Sequence, residues 1–263
     1  MTLFTGTASY YRQFRPGIPT EVADLLAAAA PARHPRRLLD IGTGTGLVAE
    51  ALLTEFDDIV AIDNDPDMIE AAEAALRPSL PDGAQLLLAQ CTAEQFTPAA
   101  GWLADLVTIC RAFHWLDQEA VLAQLEHQTA PDGAVAIFGD NSFWNIKEAW
   151  MLDLRDLIKT FLGEQRRAGA GTFNHHNRPY SEILQESPFN RVEEHTIPVH
   201  RTWNADAILG YLYSTSFASR DLFGGRLKQF DAAARAVLAT HSENDTFGED
   251  NEFLVRIGRR STA

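Results

Sequence analysis

Three glycines alternate in Asp40-Ile-Gly-Thr-Gly-Thr-Gly46, with one acid just before them and another, Asp63, at the end of the next apolar run. Glycine accepts positive φ and lets a ligand lie directly against the backbone, so Gly42, Thr43 and Gly44 can line a small molecule. A carboxylate two residues before the first glycine suits a cationic amine. One at the end of the following strand can accept hydrogen bonds from both hydroxyls of a ribose. Further along, His114-Trp115 and the pair His175-His176 carry groups that titrate near neutrality and can take a proton from a hydroxyl or an amine. His114 reads either as such a base or substrate orienter, or as a structural histidine. His175 and His176 read either as a base or as part of a solvated loop. Adjacent histidines do not easily bind one metal, and no third ligand stands at a supporting spacing, so no metal site is expected.

These residues need a scaffold. Leu38, Leu39 and Ile41 form a short apolar run suited to a strand buried on both faces. The glycines follow it, then a helix over 47–55 and a second strand over 58–63. Asp65-Pro66 places an N-cap before a proline at the first helical position of a helix over 66–76. Strands are expected over 84–91, 105–110 and 134–138, with a helix over 118–129 and a turn at Asp132-Gly133. An earlier helix, 20–30, has Thr20 as its expected N-cap. Strands alternating with helices predict an α/β fold, a doubly wound Rossmann-like sheet that binds its ligand at the strands' carboxyl ends.

After residue 140 the pattern changes to a long helix over 146–165, a polar loop over 169–178, a strand over 191–201, helices over 203–219 and 227–241, and a last strand over 253–257. The expected organisation is 1–140 as the ligand-binding part with an N-terminal helical segment, 141–190 as a cap insertion, and 191–263 as the return to the sheet with a helical insertion at 203–225. The sheet then has seven strands, mostly parallel with one antiparallel edge strand, beneath a helical cap. That cap is rich in aromatic residues (Phe143, Trp144, Phe173, Trp203, Tyr211, Tyr213, Phe217), which suits a mostly apolar pocket with a few orienting polar groups. Trp115, Trp144 and Tyr211, with His114, are the candidate substrate contacts.

With 263 residues and 46% apolar content a sizeable core is available. The net charge of −14 argues against nucleic acid and anionic membranes as partners, and mildly against a strongly anionic acceptor. Two cysteines, Cys91 and Cys110, suggest reduced thiols. No signal-peptide pattern opens the sequence and no apolar run is long enough for a membrane span. A cytoplasmic monomer or homodimer acting on a small molecule is the expectation.

The glycine spacing bears on which nucleotide is bound. A dinucleotide-binding strand–helix turn reads G-x-G-x-x-G, whereas here the spacing is G-x-G-x-G and Leu47 occupies the place of the last glycine. Taken in order, Asp40-Ile-Gly-Thr-Gly-Thr-Gly46, Ala61-Ile-Asp-Asn-Asp-Pro-Asp-Met68, Ala93-Glu94, Asp105-Leu-Val107 and Ala112-Phe-His-Trp115 resemble the successive motifs of class I S-adenosylmethionine-dependent methyltransferases. The branch with trans-aconitate-type and ubiquinone-biosynthesis-type enzymes is the most similar, and Tyr11-Arg-Gln-Phe-Arg-Pro16 resembles its N-terminal Tyr-x-x-x-Arg-Pro segment. The resemblance spans about residues 8–140.

It implies S-adenosylmethionine as cofactor and S-adenosylhomocysteine as product. Gly42, Thr43 and Gly44 would line the methionine part, Asp40 would orient its amine, and Tyr11 and Arg15 would close over its carboxylate. Asp63 would hold the ribose, with Asn64 and Met68 flanking the adenine and Thr92 and Ala93 at its edge. The family usually has an acid where Thr92 stands. Arg111 would offer its backbone carbonyl near the amine. Two alternatives stay open: a nicotinamide-dependent oxidoreductase, which the glycine spacing disfavours, and an S-adenosylmethionine-binding protein without transfer activity.

Overall fold

Short apolar runs punctuated by proline and glycine set the elements of the computed structural model, which describes residues 4, 6–165, 167–168, 171–172 and 178–261. Helices α1 (Ala8–Phe14) and α2 (Thr20–Ala29) precede β1 (Arg37–Ile41), α3 (Leu47–Ala51), β2 (Asp58–Asp63), α4 (Pro66–Leu76), β3 (Gln85–Gln90), β4 (Ala104–Cys110), α5 (Gln118–Gln128) and β5 (Thr129–Asp140). Then come α6 (Ala149–Leu162), a two-residue hairpin β6 (Arg167–Ala168) and β7 (Gly171–Thr172), α7 (Tyr180–Gln185), β8 (Arg191–Trp203), α8 (Ala205–Tyr213), α9 (Arg220–Phe223), α10 (Leu227–Ala239) and β9 (Phe247–Arg259).

By packing, the chain divides into two units. One holds Gly17–Asp140, His176–Ile197 and Phe253–Ala263. Its strands belong to a seven-stranded sheet in the order β3-β2-β1-β4-β5-β9-β8. Strands β1 to β5 pair in parallel and β9 runs antiparallel to β5, so the doubly wound Rossmann-like sheet is present. The order reverses between β1 and β4, which makes their carboxyl ends the crevice where such sheets bind ligands. Leu39, Ile41, Val60, Ile62, Val107 and Ile109 are buried in its core. Asp65 caps α4 as its sequence dictates, its Oδ1 accepting from the Asp67 N–H at 2.9 Å.

Some local expectations are corrected. Thr20 is the first helical residue, and Pro19 takes the cap position without a side-chain hydrogen bond. Asp132-Gly133 is no turn but part of β5, where the register against β4 shifts between Ala104 and Leu106. Gly133 is used there because a Cβ would come within 3.0 Å of the Asp105 carbonyl oxygen. The last strand starts at Phe247, six residues early, because Phe247, Glu249 and Asn251 alternate inward beyond the apolar run that marks it in sequence.

The second unit holds Met1–Pro16, Asn141–His175 and Pro198–Glu252. Its core joins one face of α6 (Trp150, Met151, Leu154, Ile158) to Leu212, Phe217, Phe230 and Leu238. Helices α1 and α8 cross at Gly210, where an added Cβ would sit 2.3 Å from the Phe14 ring. Gly210→Ala is therefore expected to lower stability by about 1–3 kcal/mol through overpacking, read as a reduced urea midpoint with an unchanged slope. Among the described residues no helix is long and apolar enough to cross a membrane.

Candidate functional site

At the end of β1 the chain turns sharply. Gly42, Gly44 and Gly46 all have positive φ, at 67°, 55° and 85°. The Gly42 and Thr43 N–H groups both donate to the carbonyl of Ile62, at 2.9 and 3.0 Å, which ties the turn to β2. A Cβ on Gly42 would meet that of Ala112 at 2.6 Å, so the loop after β4 leaves no room for a side chain there. Gly46 packs against Leu76 of α4 and serves as a spacer between elements.

Two carboxylates flank this turn. Asp40 is 1% exposed. Its Oδ1 accepts from the Thr108 hydroxyl at 2.8 Å, while Oδ2 is buried with no hydrogen-bond partner among the described residues. Burial pushes its pKa up to about 6; Thr43 and Thr108 ease the charge, and Asp63 adds to the strain. The Thr43 hydroxyl is itself buried with no hydrogen-bond partner among the described residues. A buried carboxylate oxygen lacking a donor fits an ammonium group, which would supply both charge and N–H. Asp63 accepts from Gly44 N–H through Oδ2 and from Asp65 N–H through Oδ1, each at 2.9 Å. Burial raises its pKa too, opposed by these backbone donors.

The remaining candidates in this unit lie on the segments after β2, β3 and β4. Asn64 is exposed, Met68 is buried on α4, Thr92 is half-buried and Ala93 is buried. Arg111 follows β4 with φ of 55°, rare for a residue with a side chain. Its side chain makes a 2.6 Å ion pair with Asp140, at the end of β5, and covers the face of Phe253. A long side chain at this position is thereby accounted for. His114 and Trp115 follow in a single 3₁₀ turn, half-buried, their rings 4.4 Å apart. His175 and His176 lie outside the described residues.

The second unit gathers Tyr11, Arg15 and Tyr211. The Arg15 guanidinium lies 4.9 Å from each of the two tyrosine ring centroids, and its Nε donates to Ser214 Oγ at 2.9 Å. Tyr211 also packs on Trp203 and, with Phe143, Ile146, Trp150, Met151, Ile208 and Glu249, lines a pocket of about 10 Å³, the room of one water. Glu249, 4% exposed, is held by Arg201 at 3.0 Å, the Trp203 indole N–H at 2.6 Å and the Asn251 amide at 2.6 Å. Trp144 packs edge-on against Phe217.

Residues 39–137 match the methyltransferase domain family. Over 245 residues the chain is 28% identical to an uncharacterised methyltransferase of Mycobacterium bovis, covering 92% of this chain and 88% of that one. This part of the chain is a methyltransferase domain. A trans-aconitate 2-methyltransferase of Methylobacterium radiotolerans is 29% identical over 130 residues, 48% of this chain and 46% of the relative. Among solved structures, a protein described as a type II methyltransferase from Anaeromyxobacter dehalogenans shares the fold, with a TM-score of 0.58 at 20% identity over 94% of this chain and 98% of that one. The oxidoreductase alternative is not favoured.

Sequence reading of this methyltransferase missed several residues. Thr108 was findable, being the single hydroxyl in the apolar run Leu106 to Ile109. Ser214, the partner of Arg15, lies 199 positions away and has no local signal. The Glu249 cluster is equally silent, since its members only meet through packing.

Proposed function

We propose that this methyltransferase alkylates an O, N or C nucleophile on a small apolar or aromatic metabolite, a natural-product intermediate being one such class. The aromatic composition of the second unit supports this most directly: Phe143, Trp144, Trp203, Tyr211 and Phe217 lie in one cluster with few polar groups among them. Flat apolar surface of this kind binds acceptors by area and shape, leaving orientation to a few polar contacts.

S-adenosylmethionine supplies an electrophilic methyl on a sulfonium. In this reading Asp40 pairs with its amine, Tyr11 and Arg15 bind its carboxylate, and Gly42, Thr43 and Gly44 line its methionine part. Asp63 accepts from the ribose hydroxyls, Asn64 and Met68 flank the adenine, and Thr92 and Ala93 border its edge. The Arg111 carbonyl serves the amine while Asp140 holds the side chain aside. Methyl transfer dissipates charge, so the protein's contribution is largely alignment. His114 removes the acceptor proton where the nucleophile requires it, with His176 or His175 as the alternative base. Trp115, Trp144 and Tyr211 contact the acceptor.

A panel of phenols, amines and aromatic acids, with S-adenosylhomocysteine release as readout, tests the substrate class. Turnover confined to polar, non-aromatic acceptors overturns it. On an accepted phenol, His114→Ala is expected to lower kcat about 100-fold, in the range of general-base catalysis, with S-adenosylmethionine affinity unchanged by calorimetry. If His114→Ala and His176→Ala both retain full turnover, neither is the base.

A further inference from the structure

Arg155 is a buried cation with its binding edge unused. It lies on α6, 9% exposed, among Met151, Leu154 and Ile158. Nη1 donates to the Trp144 carbonyl at 2.9 Å, and the guanidinium sits 5.6 Å from the centroid of Phe143. Nε and Nη2 are buried and have no hydrogen-bond partner among the described residues. These two atoms share one edge of the guanidinium, and their parallel N–H groups form the fork that a carboxylate fills with two bonds.

Other arginines show how this protein treats a charge kept for structure. Arg111 is paired with Asp140 and Arg201 with Glu249. Arg155 makes no ion pair among the described residues; its sequence neighbour Asp156 is exposed and bonded to Lys159. An unpaired buried charge is costly, and this cost is relieved if a ligand brings the missing anion. The position favours such a ligand, since Phe143, against which Arg155 lies, belongs to the aromatic cluster assigned above to the acceptor.

We propose that Arg155 anchors a carboxylate on the acceptor, making the substrate an apolar or aromatic acid. This rests on the acceptor class proposed above and narrows it. The anchored group can be distinct from the methylated atom. The same fork would also suit the carboxylate of the cofactor's methionine, so the test must separate the two sources.

Calorimetry on the full chain with phenylacetate and with phenylacetamide, each with and without S-adenosylhomocysteine, makes that separation. The acid is expected to bind at least about tenfold more tightly than the amide, the scale of a charge-assisted pair. Arg155→Met should erase that difference while raising the Tm of the unliganded chain by a few degrees, because an unpaired buried charge is removed. Arg155→Gln, which keeps a neutral donor, serves as the second variant should the first misfold, and it too should lose the preference for the acid.

Equal binding of acid and amide to the wild-type chain overturns the anchor and leaves the apolar acceptor standing. A preference for the acid that survives both variants also overturns it. Failure of both probes to bind removes the anchor and the acceptor class together. If the variants weaken S-adenosylhomocysteine tenfold and spare phenylacetate, the carboxylate is the cofactor's and the acceptor assignment falls.

Discussion

Asp63→Ala is expected to raise the dissociation constant of S-adenosylmethionine by roughly 100-fold or more. Hydrogen bonds to a charged acceptor contribute about 1.5–3 kcal/mol each, and the ribose offers two. The loss is compounded because the same oxygens hold the Gly44 and Asp65 N–H groups at 2.9 Å. Removing the carboxylate thus loosens the glycine turn as well as the ribose contact. Asp63→Asn should fall between the two, since its amide oxygen still accepts. Titration calorimetry at pH 7.5 reads all three proteins. An alanine variant with wild-type affinity would place the ribose elsewhere.

The second large effect concerns pH. Asp40 has a pKa of about 6 in the folded chain against an ordinary 3.8. Below about pH 4 the carboxyl is protonated in both folded and unfolded states, and its stabilising contribution is fully present. Between pH 4 and 6 the unfolded chain releases the proton and the folded chain keeps it. Stability from this group therefore declines as pH rises and levels off above pH 6, a loss on the order of 3 kcal/mol. Asp40→Asn should remove the decline and raise the urea midpoint of the cofactor-free protein at pH 7.

Cofactor binding should show the opposite sign. The ammonium group requires ionised Asp40, so affinity for S-adenosylmethionine is expected to climb about tenfold per pH unit up to pH 6 and then flatten. The Asp40→Asn variant should bind more weakly and without this dependence. Calorimetry at pH 5, 6 and 7.5 measures it. A wild-type affinity that is flat across that range would remove Asp40 from the amine site. The variant thus combines higher stability with weaker binding, the trade expected where a site keeps a strained charge for its ligand.

The part of the chain up to residue 140 was legible because its signals are local. Apolar runs of five or six residues marked β1, β2 and β4, Asp65-Pro66 marked the start of α4, and alternating glycines marked the turn between β1 and α3. Each depends on a residue's own conformational preference or on neighbours within a few positions. Beyond residue 140 the signals weaken. β9 begins with Phe247-Gly-Glu-Asp-Asn, where buried Glu249 and Asn251 replace the apolar alternation that identifies a strand. Their burial is possible only because Arg201 and Trp203 pair with Glu249 from distant positions.

The sequence by itself determined the Rossmann-like fold, the glycine turn and the cofactor, since these follow from spacing and residue type within short segments. Tertiary structure decided which polar groups are left unsatisfied. Among the described residues, Asp40 Oδ2 and the Nε–Nη2 edge of Arg155 are both buried without partners, and no sequence pattern distinguishes them from Asp105, buried and paired with Arg33, or from Arg201, half-buried and paired with Glu249. Whether a charge is matched depends on which distant side chains packing brings against it. In this methyltransferase the unmatched charges are where binding is expected.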